Sequence, residues 1–129
     1  MMDYGFVKVA AASPMVRVAD CKYNREEIFK LIQQAEKQNV SVVLFPELCI
    51  TGYTCGDLFN QSLLIEKAKE SLLWLCEQTK NFSTVFILGL PMLLEGRLYN
   101  VAAVVGRGQI YGIVPKVFLP NYGELYKTR

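Results

Sequence analysis

Histidine is missing from all 129 residues. Its absence excludes, within this chain, any mechanism in which an imidazole takes a proton from a serine or cysteine nucleophile. The four cysteines, Cys21, Cys49, Cys55 and Cys76, show no Cys-x-x-Cys spacing, and without histidine nothing supports a zinc site. No apolar run is long enough to cross a bilayer, and the opening MMDYGFVKVAAASP lacks a basic segment leading into a sustained apolar stretch and a cleavage site. A cytoplasmic protein with free thiols, away from membranes, is the expectation. The basic residues are scattered and the net charge is only +2, so no stripe exists to follow a phosphate backbone and nucleic acid is not an expected partner.

What is present is an apolar chain, 52% hydrophobic and 20% charged, which suits one layered domain and excludes disorder. Phe6 to Pro14 reads as a short inner strand stopped by Ser13-Pro14. The stretch NREEIFKLIQQAEKQN follows, with Asn24 as N-cap, Glu27 at the capping-box position, and Ile28, Leu31, Ile32 and Ala35 at helical spacing. SVVLF reads as a strand buried on both faces. A second helix, from about Gln61 to Lys80, puts Leu64, Ala68, Leu72, Leu75 and Cys76 on one side. TVFILGLPML, NVAAVVGRG and GQIYGIVPKVFLP are three further strands, the last ending near Lys116. Strand, helix, strand, helix and then a run of strands predicts an α/β domain with a mixed sheet. No helix follows to cover the last strands, so the chain is expected to be a truncated part of a larger fold, or to have its apolar sheet face covered by a partner.

Functional groups in such sheets gather at the carboxyl ends of strands. Glu47 and Lys116 each follow an apolar strand, and each comes directly after a proline, Pro46 and Pro115. A carboxylate there can act as a general base and an ammonium beside it can hold an oxyanion. A structural ion pair at the sheet rim fits the same positions, and position alone leaves both open.

The words around these two residues carry more. FPELCITGYTCGDLF and VPKVFLPNYGE, with LYNVAAVV between them, resemble the glutaminase domain of glutamine-dependent NAD synthetases, a branch of the nitrilase (carbon-nitrogen hydrolase) superfamily. FPEL followed by TGY points only to the superfamily; GDLF and LPNYGE point to the branch. The resemblance implies an αββα sandwich, of which residues 1–129 would form an N-terminal portion, and a Glu-Lys-Cys triad. It makes Glu47 the general base and Lys116 the group that stabilises the tetrahedral intermediate. Tyr53 and Tyr122 match positions lining the glutamine pocket, and Glu124 falls in an acidic loop that positions the site or binds the substrate amine. Packed rings for the tyrosines and a solvated loop acid for Glu124 fit the same positions. Asp57 is read as a cap at the start of the second helix.

The resemblance further implies glutamine as substrate, a downstream synthetase domain that uses ATP and Mg²⁺, and a homo-oligomer; no cofactor is expected on these residues. Two departures stand out. The resemblance places the triad cysteine beyond a further strand, after Arg129; as stand-ins, Cys49 and Cys55 lie close to Glu47 in sequence with poor freedom to turn a sulfur toward it, Cys76 falls on the apolar side of its helix, and Cys21 reads as a loop residue. Leu125 and Lys127 stand where the family carries an aromatic and an acid. The competing readings are another nitrilase-type amidase, a non-catalytic fragment acting by subunit association, and a flavodoxin-like binding module, which the missing Gly-rich first loop disfavours.

Overall fold

The computed structural model describes residues 7–52 and 61–119. Five strands and two helices follow the expected order: β1 (Val9–Ala11), α1 (Cys21–Lys37), β2 (Val42–Leu44), α2 (Gln61–Gln78), β3 (Val85–Leu94), β4 (Arg97–Gly106) and β5 (Gln109–Leu119). They build one sheet in the order β1-β2-β3-β4-β5. The first three strands are parallel and the last two return antiparallel. Two successive βαβ steps in one direction, each with the usual right-handed crossover, put both helices on the same face. Accordingly α1 packs on α2 and α2 on β3.

Both hairpins close through two residues at positive φ: Glu95-Gly96 at 51° and 79°, and Arg107-Gly108 at 52° and 79°. This is the type I′ turn, whose twist matches that of the strands it joins.

Period-two patterning sends Phe86, Leu88 and Leu90 of β3 and Val101, Ala103 and Val105 of β4 toward the helices, where all six are fully buried. They meet Ile28, Ile32, Ala68, Leu72 and Leu75, also buried. Each large aliphatic side chain so buried contributes roughly 1.5–3 kcal/mol. The opposite face is open: Leu44 is 48% exposed and Val114 52%. The reading of SVVLF as buried on both faces is therefore corrected. Val43 and Phe45 are sealed and Leu44 between them is not, because both helices lie on one side of the sheet.

The start of α1 also differs from the sequence reading. Asp20 is the N-cap, its carboxylate accepting the Tyr23 N–H at 3.0 Å, so the helix begins at Cys21. Asn24 lies inside the first turn, fully buried. Its Oδ1 accepts the Arg17 N–H and its Nδ2 donates to the Arg17 and Ile50 carbonyls, all at 2.7 Å. That amide joins two loops instead of capping a helix. At the other end, Asn39 takes φ 59°, and Val40 N–H donates to the Ala35 carbonyl at 2.9 Å, closing the helix with a Schellman-type stop.

Candidate active site

Past Leu44 the chain leaves the sheet edge-on. Phe45 N–H still donates to the Ile87 carbonyl at 2.8 Å, and Pro46 then ends the ladder by offering no donor. The residues from Glu47 to Thr51 form a tight turn, and Leu48 within it sits at φ 52°. A left-handed leucine costs about 1 kcal/mol and persists only where neighbours over-determine it. Here they do. Gly52 N–H donates to the Leu48 carbonyl at 2.7 Å and Ile50 N–H to the Gly89 carbonyl at 3.4 Å. Asn24 holds the Ile50 carbonyl, and the Ala19 N–H donates to the Thr51 carbonyl at 2.7 Å. The turn rests directly on β3: a Cβ on Gly89 would lie 2.5 Å from Leu48 N and 2.9 Å from Glu47 Cα.

Lys116 reaches the same place from β5. The strand does not end near it, as the sequence suggested, but continues to Leu119. In the β4–β5 ladder Val101 pairs with Pro115 and Asn100 with Val117, which leaves Lys116 as the extra residue of a β-bulge. Pro115 withholds a ladder donor next to that point, and bulges characteristically re-aim a side chain. Lys116 Nζ lies 3.5 Å from Glu47 Oε2, with the side chains 46% and 36% exposed. The pair borders a cleft of about 40 Å³ that Leu44, Ile87, Gly89 and Ala102 also line, on the open sheet face. A proton acceptor and a cation thus face one small space, and that combination suits attack on a carbonyl whose oxygen becomes negative.

Three cysteines are described, and none is a usable nucleophile. Cys49 is buried, its thiol donating weakly to the Gly89 carbonyl at 3.8 Å, and burial pushes it up to about 12. Burial likewise lifts Cys21 to about 11 and raises Cys76. A nucleophilic cysteine needs the reverse, a lowered pKa and an accessible sulfur. Cys21 is the first residue of α1 and buried in the core, not a loop residue. Tyr53, Cys55, Asp57, Tyr122, Glu124, Leu125 and Lys127 lie outside the described residues.

A larger cavity, about 370 Å³, opens at the other end of the strands between Glu36, Asn39, Ser41, Ser83 and Thr84. It contains no base and cation pair. Its acid is consumed structurally, because Glu36 accepts both N–H groups of Ser83 and Thr84 and the Thr84 hydroxyl at 2.9–3.1 Å. Partial burial works against the charge of Glu36, but these hydrogen bonds outweigh it and hold the carboxyl below its usual 4.5. A depressed folded-state value means that the stabilisation is complete above the unfolded value and disappears as pH falls through the folded one. Melting of the natural protein and of a Glu36→Gln variant should therefore differ most near neutrality and converge in the acid range below 4.5. A constant gap across pH would show that the clamp does not depend on the charge.

Gly89 and Asn24 escaped the sequence reading as site residues. A glycine inside a strand is a known sign of close backbone approach, so Gly89 could have been found. The bridging by Asn24 could not, because its partners lie 7 and 26 residues away.

Against known proteins, the family model described as carbon-nitrogen hydrolase matches residues 8–125. The glutamine-dependent NAD(+) synthetase of Mycobacterium leprae is 34% identical over 125 residues, 97% of this chain and 18% of that protein. The crystal structure of a glutamine-dependent NAD(+) synthetase from Cytophaga hutchinsonii superposes with a TM-score of 0.80 at 31% identity, covering 93% of this chain and 21% of that one. An amidase from Nesterenkonia, at 19% identity and a TM-score of 0.71 over 89% of this chain and 44% of that one, shares the fold. The chain spans about a fifth of the length of the synthetases it matches.

Proposed function

The chain belongs to the carbon-nitrogen hydrolase family, and from that premise we propose that it carries part of the glutamine-hydrolysing site of a glutamine-dependent NAD synthetase. The observation that carries the proposal is the Glu47–Lys116 pair, 3.5 Å apart on the open sheet face, in a chain whose relatives over nearly its full length are such synthetases.

In the proposed reaction, Glu47 takes the proton of a cysteine thiol, and the thiolate attacks the side-chain amide carbon of glutamine. The carbonyl oxygen becomes an oxyanion against the Lys116 ammonium. Glu47 returns the proton to the leaving nitrogen, ammonia departs, and a glutamyl thioester remains. Glu47 then takes a proton from water, which attacks the thioester carbon; the thiol is restored and glutamate is released. The burial of Cys21, Cys49 and Cys76 supports a nucleophile supplied from outside these residues. Tyr53, Tyr122 and Glu124 are proposed to line the glutamine pocket.

Ammonia then passes to a synthetase domain elsewhere in the protein, which amidates deamido-NAD through an adenylated intermediate. The ATP and Mg²⁺ of that step belong to that domain; among the described residues no group of His, Cys, Asp or Glu suits a metal ion. A homo-oligomer in the cytoplasm completes the proposal, since ammonia has to be kept from bulk water.

The test is isotopic. The natural protein, given deamido-NAD, ATP, Mg²⁺ and glutamine labelled with ¹⁵N in its side-chain amide, is expected to place the label in the carboxamide of NAD. Glutamate release without label in NAD would leave an amidase, and no glutamate release at all would sink the proposal.

A further inference from the structure

Two buried polar side-chain atoms, Arg25 Nε and Asn100 Oδ1, have no hydrogen-bond partner among the described residues. The first has an evident companion, since the Arg25 guanidinium lies 4.6 Å from the centre of the Trp74 ring. Asn100 has none. It is 4% exposed, and a buried carbonyl without a donor is destabilising enough to call for a reason.

Its place in the sheet supplies one. Along β4 the period of two puts Asn100 on the same face as Ala102, which borders the cleft with Gly89, Glu47 and Lys116. On the neighbouring strand Asn100 pairs with Val117, and the ladder resumes at Val101 with Pro115. The residue bulged out between them is Lys116. An acceptor without a donor therefore stands next in register to the strand position of Lys116, a residue whose side chain carries three N–H donors and no acceptor.

We propose that Asn100 is a positioning residue for Lys116, its Oδ1 accepting an ammonium N–H during the part of the reaction in which Glu47 is protonated. This rests on the function proposed above. In the resting site the Glu47 carboxylate attracts Lys116 across 3.5 Å. Once Glu47 takes the thiol proton it is neutral, and that attraction ends when the oxyanion needs the cation. With its side chain 46% exposed, Lys116 would then be free to turn toward water. A neutral amide keeps its acceptor whatever the charge on Glu47, and burial fixes where that acceptor sits. The pairing also sets the amide with its oxygen toward the ammonium.

The test uses the natural protein with Asn100→Leu, which keeps the branched shape and removes the acceptor, and Asn100→Asp, which keeps an acceptor. Asn100→Leu should lower kcat for glutamine hydrolysis by roughly 10- to 100-fold, leave KM for glutamine within about twofold, and spare NAD formation from added ammonium. Asn100→Asp should recover part of the lost kcat. A natural kcat in Asn100→Leu, or equal loss of glutamine- and ammonium-driven synthesis, would overturn the proposal and make Asn100 a structural acceptor. If the leucine variant does not fold, Asn100→Ser replaces it, its shorter side chain withdrawing the acceptor, with the same split required. A natural protein that releases no glutamate from glutamine would instead refute the function on which this rests.

Discussion

Changing Glu47 to glutamine is expected to cut glutamine-driven NAD formation by roughly a hundredfold to ten-thousandfold, the usual contribution of a positioned general base, while formation from added ammonium proceeds at its natural rate. The amide copies the shape of the carboxylate, so the turn should survive, together with the Leu48 conformation at φ 52°. What goes is the capacity to accept a proton and the charge that meets Lys116 at 3.5 Å. The measurement compares initial rates of NAD formation with saturating glutamine and with an ammonium salt. Loss confined to glutamine assigns Glu47 to the hydrolytic step. Equal loss of both would mean that Glu47 supports the fold, the alternative left open by its position after a strand.

How far that assignment was legible depends on which partners a residue needs. The order of elements was readable because each follows a local period: Ala68, Leu72, Leu75 and Cys76 recur along α2 and all are buried, and β3 and β4 alternate in register with each other. Glu47 and Lys116 were readable as candidates from proline-marked strand ends and from the words around them, and the structure brings the pair together. Strand and helix limits were less accurate where a distant contact decides them. Asn24 looks like a cap in sequence, yet Asp20 caps the helix, because the Asn24 amide is taken by Arg17 and Ile50. Lys116 looked like a strand end because of Pro115, whereas a bulge lets the ladder resume beyond it. No periodicity encodes a bulge. Nor does local sequence say that SVVLF has one open face, since that follows from both crossovers landing on the other.

Gly89 shows the same dependence most sharply, and Gly89→Ala is the second change expected to have a large effect. This position is glycine because of what lies over it. A methyl group would meet Leu48 N at 2.5 Å, Glu47 Cα at 2.9 Å and the Glu47 carbonyl carbon at 3.0 Å, all of them backbone, so no side-chain rotation relieves the contact. The turn would have to lift off β3. It resists, being held from behind by Asn24 on the Ile50 carbonyl and by Ala19 on the Thr51 carbonyl, and its own Ile50 N–H bonds to the Gly89 carbonyl. Overpacking of this kind costs about 1–3 kcal/mol, and a displacement of about 1 Å at a reacting group costs about a hundredfold in rate. Gly89→Ala should therefore lose about two orders of magnitude in glutamine hydrolysis and melt earlier, with ammonium-driven synthesis retained below the melting range. The loss of rate should be nearly absent on a Glu47→Gln background, because there the methyl group acts through the carboxylate that the second change removes, while the earlier melting should persist, since the contact is with backbone. An alanine variant with the natural glutaminase rate would show that the turn yields without moving Glu47, and that the place of the carboxylate is set by Lys116 and the loops behind it instead of by β3.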